Sequence, residues 1–216
     1  MAGPEVVQTL RPSRDGRTMT ALLAMGWGYQ FLSNQDERGL TWEGLPPSQG
    51  GPAVILTEAT DGPTSALLSA RIARTVVPWL SRGALVTARQ HLEALLREFR
   101  ANTYAITILT TYGPKGLVAT WGGHRIISHR GQRGRLLEGE ALRPRIAQVA
   151  WSPGTTLMAL AQSTGGSLPI GSVGRALLAV PTPQEAGRHL VHEAHTVDPH
   201  LHHGAILLTY PMDSAS

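Results

Sequence analysis

Nine histidines and no cysteine frame the first chemical question. His189, His192 and His195 recur at every third residue, and His200, His202 and His203 follow closely. Imidazoles at such spacing can bind Zn2+ or Ni2+ where further ligands join them. Around a helix of about 3.6 residues per turn, however, His189 and His195 diverge by about 120°. Only Glu185 and Glu193 stand near them as carboxylates. The spacing therefore favours solvated helix and loop histidines over a metal site. The absence of cysteine excludes disulfides and thiol-ligated metals. There is no Gly-x-Ser-x-Gly elbow, no Gly-Lys-Ser/Thr phosphate loop and no His-Glu-x-x-His, and Gly165-Gly166 with Gly171 is too sparse to read as a phosphate cradle.

Charge gives little direction. The pI is about 10.1, yet the net charge is only +4, and Lys115 is the lone lysine. The arginines read as spread along the chain rather than clustered. A nucleic-acid binder would show a basic stripe interleaved with aromatics, and none is visible. Arginine over lysine, with abundant Ala, Gly and Pro, matches the coding bias of a GC-rich genome. The 216 residues, 42% of them hydrophobic, are enough to bury a core. No apolar run reaches the roughly 20 residues that span a bilayer, and no basic-then-apolar leader opens the chain. A cytoplasmic address without membrane contact is the expectation.

Any functional groups must be held by the elements around the middle of the chain. Residues 104–111 and 116–120 are β-rich runs joined by Gly113-Pro114-Lys115. Residues 125–128 follow Trp121-Gly122-Gly123-His124, and Arg130-Gly131-Gln132-Arg133-Gly134 turns the chain again. Such runs, punctuated by Gly and Pro, read as consecutive antiparallel strands. The Gly pair marks a tight place, where backbones approach or a side chain has been dispensed with.

Before this centre, residues 1–17 read as a flexible arm and 18–216 as a single domain. Residues 19–32 suit a bulged strand or hairpin, 45–52 a loop, and 53–56 a short buried strand running into Thr57-Glu58-Ala59-Thr60-Asp61-Gly62. Leu67, Leu68, Ile72, Val76, Trp79 and Leu80 form one helical face. Leu85, Ala88, Leu92, Leu95, Leu96 and Phe99 form another, and the short Ser81-Arg82-Gly83 link makes the two helices antiparallel neighbours. After the centre, 146–151 and 156–161 read as strands and 162–166 as a loop. A helix over 182–197, opened by a Thr182/Glu185 capping box, turns Ala186, Leu190, Ala194 and Val197 inward. Residues 205–210 read as the closing strand. The five tryptophans, 27, 42, 79, 121 and 151, are assigned to core or interface. Strand meanders mixed with helix pairs favour α+β over alternating β-α-β units.

Over about residues 26–210, the order of these pieces resembles the 2C-type (PPM) metal-dependent protein phosphatases. Asn34-Gln35-Asp36 looks like the family's early Asn-Gln/Glu-Asp motif. Trp121-Gly122-Gly123-His124-Arg125 looks like its Val-Gly-Asp-Ser-Arg. Trp151-Ser152-Pro153-Gly154, followed by an apolar strand, looks like the Pro-Gly-Asp turn that leads to Ser-Asp-Gly. Gln184-Glu185-Ala186, Leu190-Val191 and Ala194 resemble the penultimate helix, and Gly204-Ala205-Ile206 the last strand. The resemblance implies an α-β-β-α sandwich of two antiparallel β-sheets flanked by helix pairs.

It also implies a chemistry. Two Mg2+ or Mn2+ ions, held mostly by carboxylates, position and acidify a bridging water for attack on phosphate. Matched position by position, most of those carboxylates are missing. Asp36 keeps its place. The Asp-Gly after the first buried strand falls on Glu58-Ala59, or on Asp61-Gly62 with two extra loop residues. Gly123, Gln162 and His203 stand where the other three aspartates are expected, and Phe31 or Gln30 where a phosphate-binding Arg is expected. Arg125 is the remaining candidate anion contact, against the plainer reading of an ion pair with a neighbouring carboxylate.

The resemblance thus implies a phosphatase fold with no catalytic residues and no cofactor, in which Asp36, Glu58 and Asp61 are relic ligands. Inactive members act as adaptors or decoys, so a protein partner, such as a kinase or another signalling protein, is implied. The open alternative is an active phosphoserine/phosphothreonine phosphatase whose Mn2+ or Mg2+ site is rearranged around Asp36, Glu58, Asp61 and the histidines.

Overall fold

The computed structural model describes residues 19–24, 27–33, 40–45, 52–59, 62–99, 105–130, 133–137, 141–179, 183–201 and 203–210. The arm 1–17, Asp36, Asp61, Thr182 and His202 lie outside these residues.

Strand β4 (Ala53–Glu58) shows how the layers arise. Ala53 and Ile55 enter an apolar cluster beneath helices, while Val54 and Leu56 enter a second cluster shared with the opposite sheet. A strand covered on both faces reads as a continuous apolar run rather than an alternation. Each fully buried Ile or Leu contributes about 2 kcal/mol by leaving water. Strand β4 lies between β3 (Leu40–Leu45) and β5 (Ala105–Tyr112). Beyond β5 come β6 (Lys115–Gly122) and β9 (Ala141–Ala150), so this sheet has the order β3-β4-β5-β6-β9. The other sheet comprises β1 (Met19–Ala24), β2 (Trp27–Ser33), β7 (Arg125–Arg130), β8 (Arg133–Leu137), β10 (Thr155–Leu160) and β11 (Gly204–Thr209), ordered β1-β2-β11-β10-β7-β8. All pairings among the described strands are antiparallel.

Helices α1 (Gly62–Thr75), α2 (Val77–Leu80) and α3 (Leu85–Glu98) cover the outer face of the five-stranded sheet through Leu68, Ile72, Leu80 and Leu92. Helices α4 (Gln162–Ser167), α5 (Ile170–Ala179) and α6 (Pro183–Val197) lie beside the six-stranded sheet, where Val173, Ala176, Ala186 and Leu190 meet Met158, Leu160 and Leu207. The result is helices, sheet, sheet, helices, an α+β sandwich. Among the described residues, no helix is long and apolar enough to cross a membrane.

Several readings change. β6 and β7 are not neighbours in one meander: β6 pairs with β5 and β9, and β7 with β10 and β8, so the chain changes sheets at Gly122-Gly123-His124. Leu45 closes a strand, opposite Ala53, rather than opening a loop. The first helical face is broken at Val76, because Pro78 has no amide to continue the ladder and starts α2 afresh. Leu67, placed on the inner face, is 54% exposed, and Val197, placed on the inner face of α6, is 62% exposed. Val191, 6% exposed, faces inward on α6 instead. The stretch read as a loop after β10 is helix α4, and α5 escaped notice because Gly171 and Gly174 weaken its helical pattern.

Candidate functional site

The change of sheets creates the site. Gly122 ends β6 at φ +88°, a conformation that a side chain would strain. A Cβ at Gly123 would lie 3.1 Å from the side chain of Gln162, which fills that space. The next residue, His124, is carried into the interior and is 1% exposed. Its Nε2 is 3.1 Å from Glu58 Oε2, at the end of β4. Its Nδ1 is 2.9 Å from Thr107 Oγ1 on β5. Thr107 faces Thr120 across the β5–β6 pair, with hydroxyls 3.2 Å apart, and the Thr120 hydroxyl donates to the Ile106 carbonyl.

Glu58 joins the two sheets. Its Oε2 also accepts the backbone N–H of Gln162 at 2.8 Å, at the start of α4. Burial pushes the carboxyl pKa up, but the hydrogen bond and charge of His124 and the amides of Gln162 and Ser163 together outweigh it. The net result lies below the ordinary value of 4.5. Toward this ionised carboxylate, His124 Nε2–H donates. Nδ1 then accepts from the Thr107 hydroxyl in the neutral ring or donates to it in the imidazolium, so either state is satisfied.

The order carboxylate, imidazole, hydroxyl is that of a nucleophilic relay. Here it lacks access: Thr107 is 0% exposed, and its hydroxyl is enclosed with Thr120 and His124. A nucleophile and base must reach the substrate to act. The arrangement instead ties β4 and β5 of one sheet to the β6–β7 crossing and to α4 beside the other.

The residues singled out from the sequence divide accordingly. Glu58, Gly123 and Gln162 are brought together at the crossing. Arg125 is near them in sequence, but its Nη1 donates to the Leu168 carbonyl at 2.7 Å and its Cβ lies 3.1 Å from where a Gly165 side chain would begin. Among the described residues it forms no ion pair. His203 is fully buried, and its Nε2–H donates to the Asp198 carbonyl at 2.7 Å, with the ring edge-on to His195. His189 lies 3.8 Å from Glu193 on the exposed face of α6. No three His, Asp or Glu side chains are gathered for an ion among the described residues. His124, Thr107 and Thr120 were not expected to matter. Their signal was a lone histidine directly after a Gly pair, and polar threonines inside apolar strands.

By sequence, no family model and no curated protein matches the chain. Solved structures do. PppA, "a key regulatory component of T6SS in Pseudomonas aeruginosa", superposes with a TM-score of 0.67 at 12% identity, over 85% of this chain and 97% of that one. The catalytic domain of the serine/threonine protein phosphatase PstP, in complex with two manganese ions, gives 0.62 at 10% identity, over 85% and 97%. The PPM Ser-Thr phosphatase MsPP from Mycobacterium smegmatis gives 0.56 at 12% identity, over 84% and 97%.

The fold is that of the PPM-type phosphatases. At these identities the likeness speaks for the fold, and the site must be judged on its own donors. A PPM-type pair of Mg2+ or Mn2+ ions needs several free carboxylate oxygens close together. Gly123 offers none, Gln162 offers an amide, and His203 spends Nε2 on a carbonyl. Glu58 is already engaged by His124 and by the Gln162 amide. The described donors do not fit a dinuclear centre of this kind.

Proposed function

We propose that this chain is a catalytically inactive, protein-phosphatase-like domain that works as a protein-binding, regulatory module in a signalling pathway. The observation that carries this reading is the Glu58–His124 pair. Glu58, a position where the resemblance expects a ligand, is held by an imidazole and a backbone amide, beside a glycine and a glutamine that supply no charge. The proposed partner is a protein, such as a kinase, met in the cytoplasm. That the neighbour PppA is described as a regulatory component supports a regulatory use of this fold.

The test is a calorimetric Mn2+ and Mg2+ titration run beside hydrolysis of p-nitrophenyl phosphate. The expected outcome is no metal-dependent turnover. Turnover that needs metal and disappears in Asp36→Ala would establish the rearranged phosphatase instead.

A further inference from the structure

We infer that the β7–β8–β9 edge of the sandwich docks an extended acidic segment of a protein partner. This rests on the binding-module reading, to which it adds a surface and a partner chemistry.

Strand β8 is the last strand of the six-stranded sheet and β9 the last of the five-stranded sheet. The short Gly122-Gly123-His124 crossing holds β6 near β7, and only residues 138–140 join β8 to β9. Among the described residues the two terminal strands therefore fall on one side of the molecule. Six of the eighteen arginines, at 125, 130, 133, 135, 143 and 145, are on these three strands. Between 125 and 150 only Glu138 and Glu140 oppose them. Strands β1 and β3, which end the two sheets on the other side, carry Glu43 as their one charged residue. Arginines that read as dispersed along the chain are thus collected by the topology.

Arg125 is committed to the Leu168 carbonyl. Arg130 and Arg145 are exposed and form no ion pair among the described residues. Arg130 also stands directly opposite Arg133 in the β7–β8 register. Like charges so paired destabilise a sheet, and an anionic partner would offset the cost. Charges on an edge strand also ward off edge-to-edge pairing, but that role does not require like charges at paired register positions.

The class of partner follows from what accompanies the charge. A terminal strand offers main-chain donors and acceptors to an added strand. Nucleic-acid strands are held by basic grooves with aromatic stacking platforms, and no Phe, Tyr or Trp occurs between 125 and 150. An acidic peptide in extended conformation fits best.

Fluorescence anisotropy with the full chain tests this. The probe is a fluorescein-labelled peptide of about twelve alternating Glu and Thr residues, chosen for charge and strand propensity. Binding is expected to weaken about tenfold as NaCl rises from about 50 to 300 mM. It should also weaken about tenfold in Arg130→Glu/Arg145→Glu, while Arg89→Glu on the exposed face of α3 leaves it unchanged. A peptide N-methylated at alternate residues should lose about fivefold, because it cannot complete the strand pairing. No binding, binding indifferent to the edge substitutions, or equal binding of the N-methylated peptide would overturn the proposal. So would tighter binding of a labelled oligothymidylate, which would give the edge to nucleic acid. Phosphatase turnover with peptide binding intact would sink the inactive reading and leave the edge standing. Lack of both would do the reverse.

Discussion

His124 and His129 are five positions apart and both almost sealed from water, at 1% and 7% exposure. Their surroundings could hardly differ more. His124 sits at the crossing between sheets, with Glu58 on one nitrogen and Thr107 on the other. His129 sits within β7, opposite Thr156 and Gly134, and neither nitrogen has a hydrogen-bond partner among the described residues. Burial alone pushes the His129 pKa below 6.5 and holds the ring neutral. Burial removes water equally from both; the partner decides whether the polar group becomes a tether or a cost.

The contrast is most strongly tested at Glu58. Glu58→Ala would strand His124 Nε2 and the Gln162 amide, and should cost about 3 kcal/mol of unfolding free energy. Glu58 keeps 22% side-chain exposure, so entering water will relieve part of that loss. Chemical denaturation measures it, and the double variant Glu58→Ala/His124→Leu should recover part of the stability. A single-variant loss of only a few tenths would mean that the pair is not a tether. Thr107→Val comes next, removing the Nδ1 partner and one Thr120 contact at a cost of about 1 kcal/mol.

Acid should separate the two groups. Glu58 has a folded pKa below 4.5, so the unfolded chain binds its proton first. Its contribution is present above pH 4.5 and is lost as pH falls through the lower folded value. His129 also has a lowered folded pKa, so its unfolded form gains a proton first as pH drops below 6.5, and stability declines from there. Denaturation midpoints between pH 8 and 3 should therefore fall in two windows. Glu58→Ala should remove the lower one. His129→Leu should flatten the upper one and, by removing an unpartnered buried polar group, raise stability at pH 8 by about 1 kcal/mol. A single window, unaffected by His129→Leu, would show that His129 finds a proton partner after all.

How much of this could be read before the fold was seen depends on distance along the chain. The buried strand at Ala53, the helical face ending at Phe99, and the inward Ala186, Leu190 and Ala194 were all readable, because periodicity is a local record of which face avoids water. That Gly123, Gln162 and His203 stand where the resemblance expects aspartates is a reading of the sequence alone, made one residue at a time. Helix α4 was not, since Gly165 and Gly166 are poor helix formers held there by tertiary contacts, such as Thr164 bonding Gly204 across forty residues.

The sequence by itself therefore determined local elements: the buried run at 53–56, the inward faces of α3 and α6, and the strands β5, β6 and β11. Only the tertiary structure decided that β6 and β7 part company, that Glu58 meets His124 from 66 residues away, and that scattered arginines share one edge. Hydrophobic patterning says that a face must be covered, but not by what. Partner and register are settled only when distant strands compete to satisfy the same buried hydrogen bonds.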